Sequence, residues 1–336
     1  MIPTLVLQKE TLDDLFLRED EFKSFIKFLK KNFRNYNLII NHIDDIALKK
    51  HSIENPLIEI LLDKIENITF LNNLEIILLN NEIGNYCSKR SIIICNLDDN
   101  DCNSKLEKTG LLYFNLNNLN KWELFNEIVY SKSLKVSSDS NIPTEYKFIN
   151  WSDITKYMKY CNSIIIFDKH IFVDKSNQKI KNNLFKLLEN ILNTNKNYLQ
   201  ITIISEFEND DILKYHTQTK LFLNNQGLTN FNLNLIHHTK AFYPRNFEGL
   251  HSRFILTNYL HILSNDSFNF FKENGRFNNL ADIELKFNLT TKNKFSFEKD
   301  LENIKTYILK TKNEPNSPNL TLKCTYFKNK NNCLLN

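Results

Sequence analysis

The sequence predicts two α/β domains with mostly parallel sheets. Three observations predict this. Short, nearly continuous apolar runs recur along the 336-residue chain, as strands buried on both faces require. Segments with apolar residues at helical spacing separate those runs. One serine-rich stretch, Ser131 to Pro143, breaks the periodicity and divides the chain. The expected organisation is an α/β domain at 1–140, a second α/β domain at 147–285 and a basic extension at 286–336.

In the first domain, Phe22, Phe25, Ile26, Leu29 and Phe33 repeat at the spacing of a helix. Asn55-Pro56 supplies an N-cap and a proline at the first helical position, opening a helix over Leu57 to Leu62. Strands are expected at Leu38-Ile40, Ile76-Leu79, Ile92-Ile94 and Leu111-Phe114, with a closing helix around Trp122-Phe125. In the second domain, Ser163-Phe167 reads as a buried strand ending in Asp168, and Ile180, Leu184, Leu187, Leu188 and Ile191 mark an amphipathic helix. Leu199-Ile204 is the next strand, a helix runs to about Asn225, and Phe231-Ile236 is the third strand. Two more strands follow, over His251-Asn258 and Leu260-Leu263. In a β-α-β-α-β order, ligand sites stand at the carboxyl ends of the strands. Those ends carry Asp168-Lys169-His170, Ser205-Glu206 and His237-His238. The extension predicts a helix near Glu298-Leu309 and a hairpin through Cys324-Phe327 and Leu334-Leu335.

Composition removes several function classes. An apolar share of 42%, with 26 Phe and 13 Tyr, supports large buried cores and excludes a globally disordered chain. The five glycines stand alone, so neither GxGxxG nor GxxxxGK[ST] occurs and the dinucleotide and P-loop classes fall. Alanine occurs only at Ala47, Ala241 and Ala281, and the Ile, Lys and Asn excess looks like the codon bias of an AT-rich genome. The six cysteines form no CxxC pair and read as buried free thiols. No apolar run approaches the ~18 residues of a membrane span, and no basic leader opens Met1-Ile2-Pro3-Thr4. A cytoplasmic protein with no cofactor, no metal and no membrane span is expected.

The net charge of +4 is unevenly distributed. Residues 1–150 carry 18 Lys and Arg against 22 Asp and Glu, residues 151–285 carry 15 against 13, and residues 286–336 carry 10 against 4. Residues 212–265 hold Lys214, Lys220, Lys240, Arg245 and Arg253 together with His216, His237, His238, His251 and His261, against Glu248 alone. A segment with that density of cations and imidazoles is where an anion is expected to bind.

Within this segment His251, Arg253 and Asn258 fall at the spacing of a His-x-Lys-x4-Asp motif. In that chemistry a strand-borne histidine attacks phosphorus, and the basic residue two positions on shares its strand face and clamps phosphate oxygens. The acid orients the imidazole. Here Arg stands for Lys and an amide for the carboxylate, while Asn265, Asp266, Ser267 and Phe268 occupy the register of the Gly-Ser-x-Asn element. With the preceding strands and helices, His251-Ser252-Arg253-Phe254-Ile255 and Ser267-Phe268 resemble the phospholipase D-like C-terminal domain of MIT-domain proteins and its bacterial relatives, over about residues 155–275. The resemblance implies the phospholipase D-like fold without hydrolase activity, with a basic surface that binds acidic membrane lipids in the eukaryotic members, and so a chain that binds a phosphate rather than cleaving one.

The expected function is a phosphate-recognising binding module, a nucleic-acid-associated accessory subunit of a bacterial complex with a defence role. Arg253, His251, His238, Lys240 and Arg245 line its site. A protein partner engages through 1–140, or the chain forms a homodimer. The alternatives are a divergent phospholipase D-type phosphodiesterase or nuclease, with His251 as nucleophile, Arg253 as clamp and Asn258 in the acid's position, and a scaffold with a vestigial site. Asp44-Asp45 and Asp98-Asp99-Asp101 read as turns or helix caps rather than metal ligands. The lysines of the extension, with Tyr326 and Phe327, are further candidates for nucleic-acid contact.

Overall fold

The computed structural model of the chain describes residues 3–32, 36–63, 65, 67–88, 90–172, 176–194, 198–207, 211–237, 253–278, 280–313 and 332–335. The chain divides into two compact units. Met1–Tyr130 with Phe287–Phe295 form the first, and Ser131–Lys286 with Ser296–Asn336 form the second. The boundary therefore falls before the serine-rich stretch, and the basic extension is shared between the units rather than standing apart.

The first unit is built on β1 (Thr4–Leu7), β2 (Asn37–Ile40), β3 (Asn67–Phe70), β4 (Ser91–Ile94) and β5 (Leu112–Phe114). The order is β3-β2-β1-β4-β5 and every pair is parallel, as the apolar runs predict. Its helices are α1 (Lys9–Leu17), α2 (Lys23–Asn32), α3 (Asp45–Glu54), α4 (Pro56–Leu62), α5 (Leu74–Leu79), α6 (Asp99–Thr109) and α7 (Glu123–Asn126). Asn55 caps α4 by accepting from the Leu57 amide at 3.1 Å, with Pro56 at the first position. Gly110 closes α6 at φ 69°, a left-handed conformation that suits glycine, and its amide bonds the Leu106 carbonyl.

Ile76 to Leu79, expected as a strand, lies in α5. The physical reason is the spacing of what is buried. Leu74, Ile77 and Leu78 face inward while Ile76 and Leu79 are exposed, which is the i, i+3, i+4 pattern of a helix. Two strands missed in the sequence, β1 and β3, complete the sheet. Its neighbouring core is aromatic: Trp122, fully buried, holds Phe25, Phe28, Phe114, Phe125 and Phe287 at centroid distances of 4.4 to 6.2 Å.

The second unit contains β6 (Lys132–Val136), β7 (Lys147–Phe148), β8 (Ser163–Phe167), β9 (Leu199–Ser205), β10 (Phe231–His237), β11 (Arg253–Thr257), β12 (Leu260–Ser264) and β13 (Ala281–Phe287). Their order is β10-β9-β8-β11-β12-β13-β6-β7. The helical segments are α8 (Ser152–Thr155), α9 (Asn177–Ile180), a π-helical turn (Lys181–Phe185), α10 (Lys186–Thr194), α11 (Asp211–Asn225) and, from Ser296 onward, α12 (Thr291–Asn313).

The expectation of a mostly parallel second sheet is corrected here. β8, β9 and β10 are parallel, but β11 is antiparallel to both β8 and β12, and β13 is antiparallel to β6. β6 occupies what the sequence offers as a break. Its Leu134 and Val136 point inward between exposed Ser133 and Lys135, an alternation too short and too rich in serine to stand out. Ile165, Phe167, Ile204, Ile236, Phe254 and Leu256 meet Phe297, Leu301, Ile304 and Ile308 of α12 in one core, joined by Leu334. The helix expected near Glu298-Leu309 is thus longer at both ends. The hairpin expected through Cys324-Phe327 lies outside the described residues.

Replacing Trp122 with alanine removes the ring around which this aromatic cluster packs. It is expected to lower the unfolding free energy by about 3–5 kcal/mol. Urea titration followed by circular dichroism measures the loss.

Candidate functional site

Four strands of the second unit bring polar residues to one sheet end. β8, β9 and β10 run in one direction and finish there, followed by Asp168, by Glu206, and by His237 as the last residue of β10. β11 starts at the same end because it runs antiparallel to β8, with Phe254 opposite Phe167. Arg253 is therefore delivered beside Asp168 by strand register alone.

Asp168 is fully buried. One carboxylate oxygen accepts from the His170 amide at 2.9 Å, and the other accepts from the Ser267 hydroxyl at 2.8 Å and the Phe268 amide at 2.7 Å. Burial raises its pKa above the ordinary carboxylate range. The three hydrogen bonds and the Arg253 charge pull in the opposite sense. Asn269, also buried, donates to the His170 carbonyl at 2.7 Å and to Ser267 at 2.9 Å. Its Oδ1 has no hydrogen-bond partner among the described residues. The segment after β12 is thus tied to the end of β8 at consecutive positions. Asn183 in the π-turn ties the far end of that segment, accepting from the Phe271 amide and donating to the Phe271 carbonyl.

Around this anchor stand half-buried cations and imidazoles. Arg253 donates to the Asn265 carbonyl at 3.4 Å. Lys169 pairs with Glu206 at 3.2 Å, and the Lys169 carbonyl accepts from the Glu206 amide and the Ser205 hydroxyl. His237 accepts from the Phe207 amide through Nδ1 at 3.2 Å, while its own carbonyl accepts from Tyr307 at 2.7 Å. Burial lowers the pKa of both His170 and His237 below that of a free imidazole. Both rings are therefore neutral near pH 7 in the free protein, and each gains a proton more readily once an anion sits beside it.

Of the five residues expected to line the phosphate site, Arg253 lies at this end. His251, His238, Lys240 and Arg245 lie outside the described residues. Asn258 does not belong to the site. It follows β11 at the opposite end, about 17 Å of strand away from Arg253. There its buried Oδ1 accepts from the Asn162 and Ser163 amides, each at 3.1 Å, and caps the start of β8. The histidine concentration is dispersed as well. His216 sits on α11 and His261 is buried in the sheet, with Nε2 3.1 Å from Asp300 Oδ2.

Asn269 is the contributor that the sequence did not mark, and Ser267, marked there only for its register, bonds the Asp168 carboxylate. Their signal is the alternation Ser267-Phe268-Asn269-Phe270, in which the two phenylalanines are buried between polar side chains that bond the chain around Asp168 and His170. The acidic clusters of the first unit are caps, as read from the sequence. Asp44 accepts from the Ala47 amide and Asp98 from the Asp101 amide, both at 2.8 Å. Among the described residues, no group of three or more His, Cys, Asp or Glu side chains could hold a metal ion. Among the described residues Cys87, Cys95, Cys102, Cys161 and Cys333 form no disulfide; Cys324 lies outside the described residues. No described helix is long and apolar enough to cross a membrane. No protein-family model matches the chain, and no curated protein matches it.

Asp168→Ala leaves two amides and a hydroxyl without their acceptor. The substitution is expected to cost about 1–3 kcal/mol at neutral pH and to accelerate hydrogen exchange at the His170 and Phe268 amides. In the wild type, the native state holds the Asp168 proton over a window in which the unfolded chain has released it. The contribution of this group to stability therefore falls as pH rises from the ordinary carboxylate range through the raised pKa. Denaturant titrations at a series of pH values are expected to show that slope in the wild type and its loss in Asp168→Ala.

Proposed function

We propose that the second unit is a phosphate-recognising module that binds nucleic acid. The observation that carries this reading is the convergence of Arg253, Lys169, His170 and His237 at the carboxyl end of three parallel strands, the position where open α/β sheets bind their ligands. Arg253 supplies a charged, forked donor suited to phosphate oxygens. The two imidazoles become donors on protonation, and Lys169 exchanges its Glu206 partner for the ligand. A repeated phosphate chain is favoured over a single headgroup by the lysine excess of residues 286–336, 10 basic residues against 4 acidic. An accessory role in a multi-component bacterial system extends the same reading and rests on the resemblance of residues 155–275.

Phosphodiester cleavage is the weaker reading. An orienting acid for His251 is required, and position 258 offers an amide committed to the far end of β8.

Fluorescence anisotropy with labelled single-stranded DNA and RNA tests the proposal over a range of salt concentrations. Wild-type affinity is expected to fall with salt, and Arg253→Ala to reduce the slope of log K against log salt by about 1. Absence of binding, or a slope unchanged by Arg253→Ala in a folded variant, overturns the reading. Binding confined to anionic lipid vesicles reassigns the ligand, and cleavage abolished by His251→Ala reassigns the module as an enzyme.

A further inference from the structure

The first unit holds a second polar cluster, at the carboxyl ends of β1 and β2. Lys9 follows β1, and Asn41 and His42 follow β2. Asp13 comes from α1 and His51 from the last turn of α3. His42 Nε2 lies 2.9 Å from His51 Nδ1, and His51 Nε2 lies 2.5 Å from Asp13 Oδ1. Asn55 donates to the same carboxylate oxygen at 3.0 Å. Both rings are more than nine-tenths buried.

The order of hydrogen bonds fixes the protons. A carboxylate only accepts, so the His51 proton sits on Nε2 and its Nδ1 is a lone pair. His42 must then donate through Nε2, which leaves the lone pair of neutral His42 at Nδ1. That atom has no hydrogen-bond partner among the described residues. The two rings line a cavity of about 440 Å³ together with Lys9, Asn41, Ile43, Ala47, Lys50 and Glu54. Neither the Lys9 nor the Lys50 ammonium has an ion-pair partner among the described residues.

We propose that this cavity binds the phosphate group of a small organic phosphate, with Lys9 and Lys50 as its cationic clamps and His42 Nδ1 taking up a proton as the ligand enters. Two ammonium groups and one imidazolium give donors on several sides of a tetrahedral dianion. The second ionisation of a phosphate monoester, near pH 6, lies close to that of imidazole, so the shared proton moves at little cost. The volume falls within the range of small-molecule sites and exceeds what a bare inorganic ion fills.

The cavity lies beside the point where the strand order reverses, not at it. The crevice between β1 and β4, where the strand order reverses, is bridged by the chain itself. There the Asn96 amide donates to Gln8 Oε1, and Thr11 donates to Asn96 Oδ1. The open space lies one strand over.

The groups facing His42 set the direction of the pH dependence. Burial, His51 and Lys9 lower its pKa, while Asp13 and Glu10 raise it; Lys50 and Glu54 complete the charged lining. In the free protein His42 is therefore neutral at neutral pH. An anion against Nδ1 raises the pKa, so binding takes up a proton between the free and bound values and tightens as pH falls through that window.

The test is an NMR titration of the full chain labelled in its histidine rings. Glycerol phosphate, inorganic phosphate and sulfate serve as probes at pH 6 and pH 8, and His42→Gln assigns the resonances. Glycerol phosphate is expected to shift the His42 signals, raise the pH midpoint of their titration and bind more tightly at pH 6. Lys50 is exposed, so Lys50→Ala keeps the fold and is expected to weaken binding roughly tenfold, the loss of one charged contact. An unmoved His42 resonance, or affinity unchanged in Lys50→Ala, overturns the proposal and leaves the Asp13-His51-His42 chain as a structural tether. Equal affinity for inorganic phosphate and glycerol phosphate overturns the organic part of the assignment. None of these probes depends on the nucleic-acid reading of the second unit.

Discussion

The second unit depends on one buried carboxylate. Asp168 ends β8 in a fully buried position, where an isolated charge is costly. Three donors offset that cost, and they come from both sides of the site: His170 on its own strand's exit, and Ser267 and Phe268 from the segment after β12. The carboxylate therefore fixes where a loop about a hundred residues away in sequence must lie. It also gives Arg253, arriving on β11, a negative neighbour that balances its charge without removing it from the sheet end.

Much of the fold was legible because strands buried on both faces have no polar alternation to obscure them. Ile92-Ile94, Ser163-Phe167 and Leu199-Ile204 read directly as strands, and Asn55-Pro56 read as a helix start. The misreading of Ile76-Leu79 shows the limit of that signal, since an isolated apolar tetrad has no period of its own and Leu74 decides it. The strand β6 hides for the opposite reason: three of its neighbours are serines, which favour turns, and only pairing with β13 makes the segment a strand.

The site was legible in part. The rule that ligands gather at carboxyl strand ends pointed to Asp168, Glu206 and His237, and these do assemble. Linear spacing misplaced Asn258, because five residues of strand carry the chain from one sheet end to the other. The His42-His51-Asp13 chain was invisible because its members are contributed by three elements and none belongs to a spacing motif. The asparagine excess, read as codon bias, also acquires a physical use. Asn115 and Asn118 cap each other's amides, Asn183 pairs with both polar groups of Phe271, and Asn293 donates to three carbonyls. In a chain with five glycines, amide side chains take up backbone groups that irregular segments leave unpaired.

The central claim is that the second unit meets its ligand at the carboxyl end of β8, β9 and β10. Hydrogen exchange of the full chain, read by mass spectrometry with and without a single-stranded oligonucleotide, tests it most directly. The account predicts added protection in peptides covering residues 168–170, 205–207 and 264–269. Binding accompanied by protection only in residues 4–130, with those three segments unchanged, would contradict it.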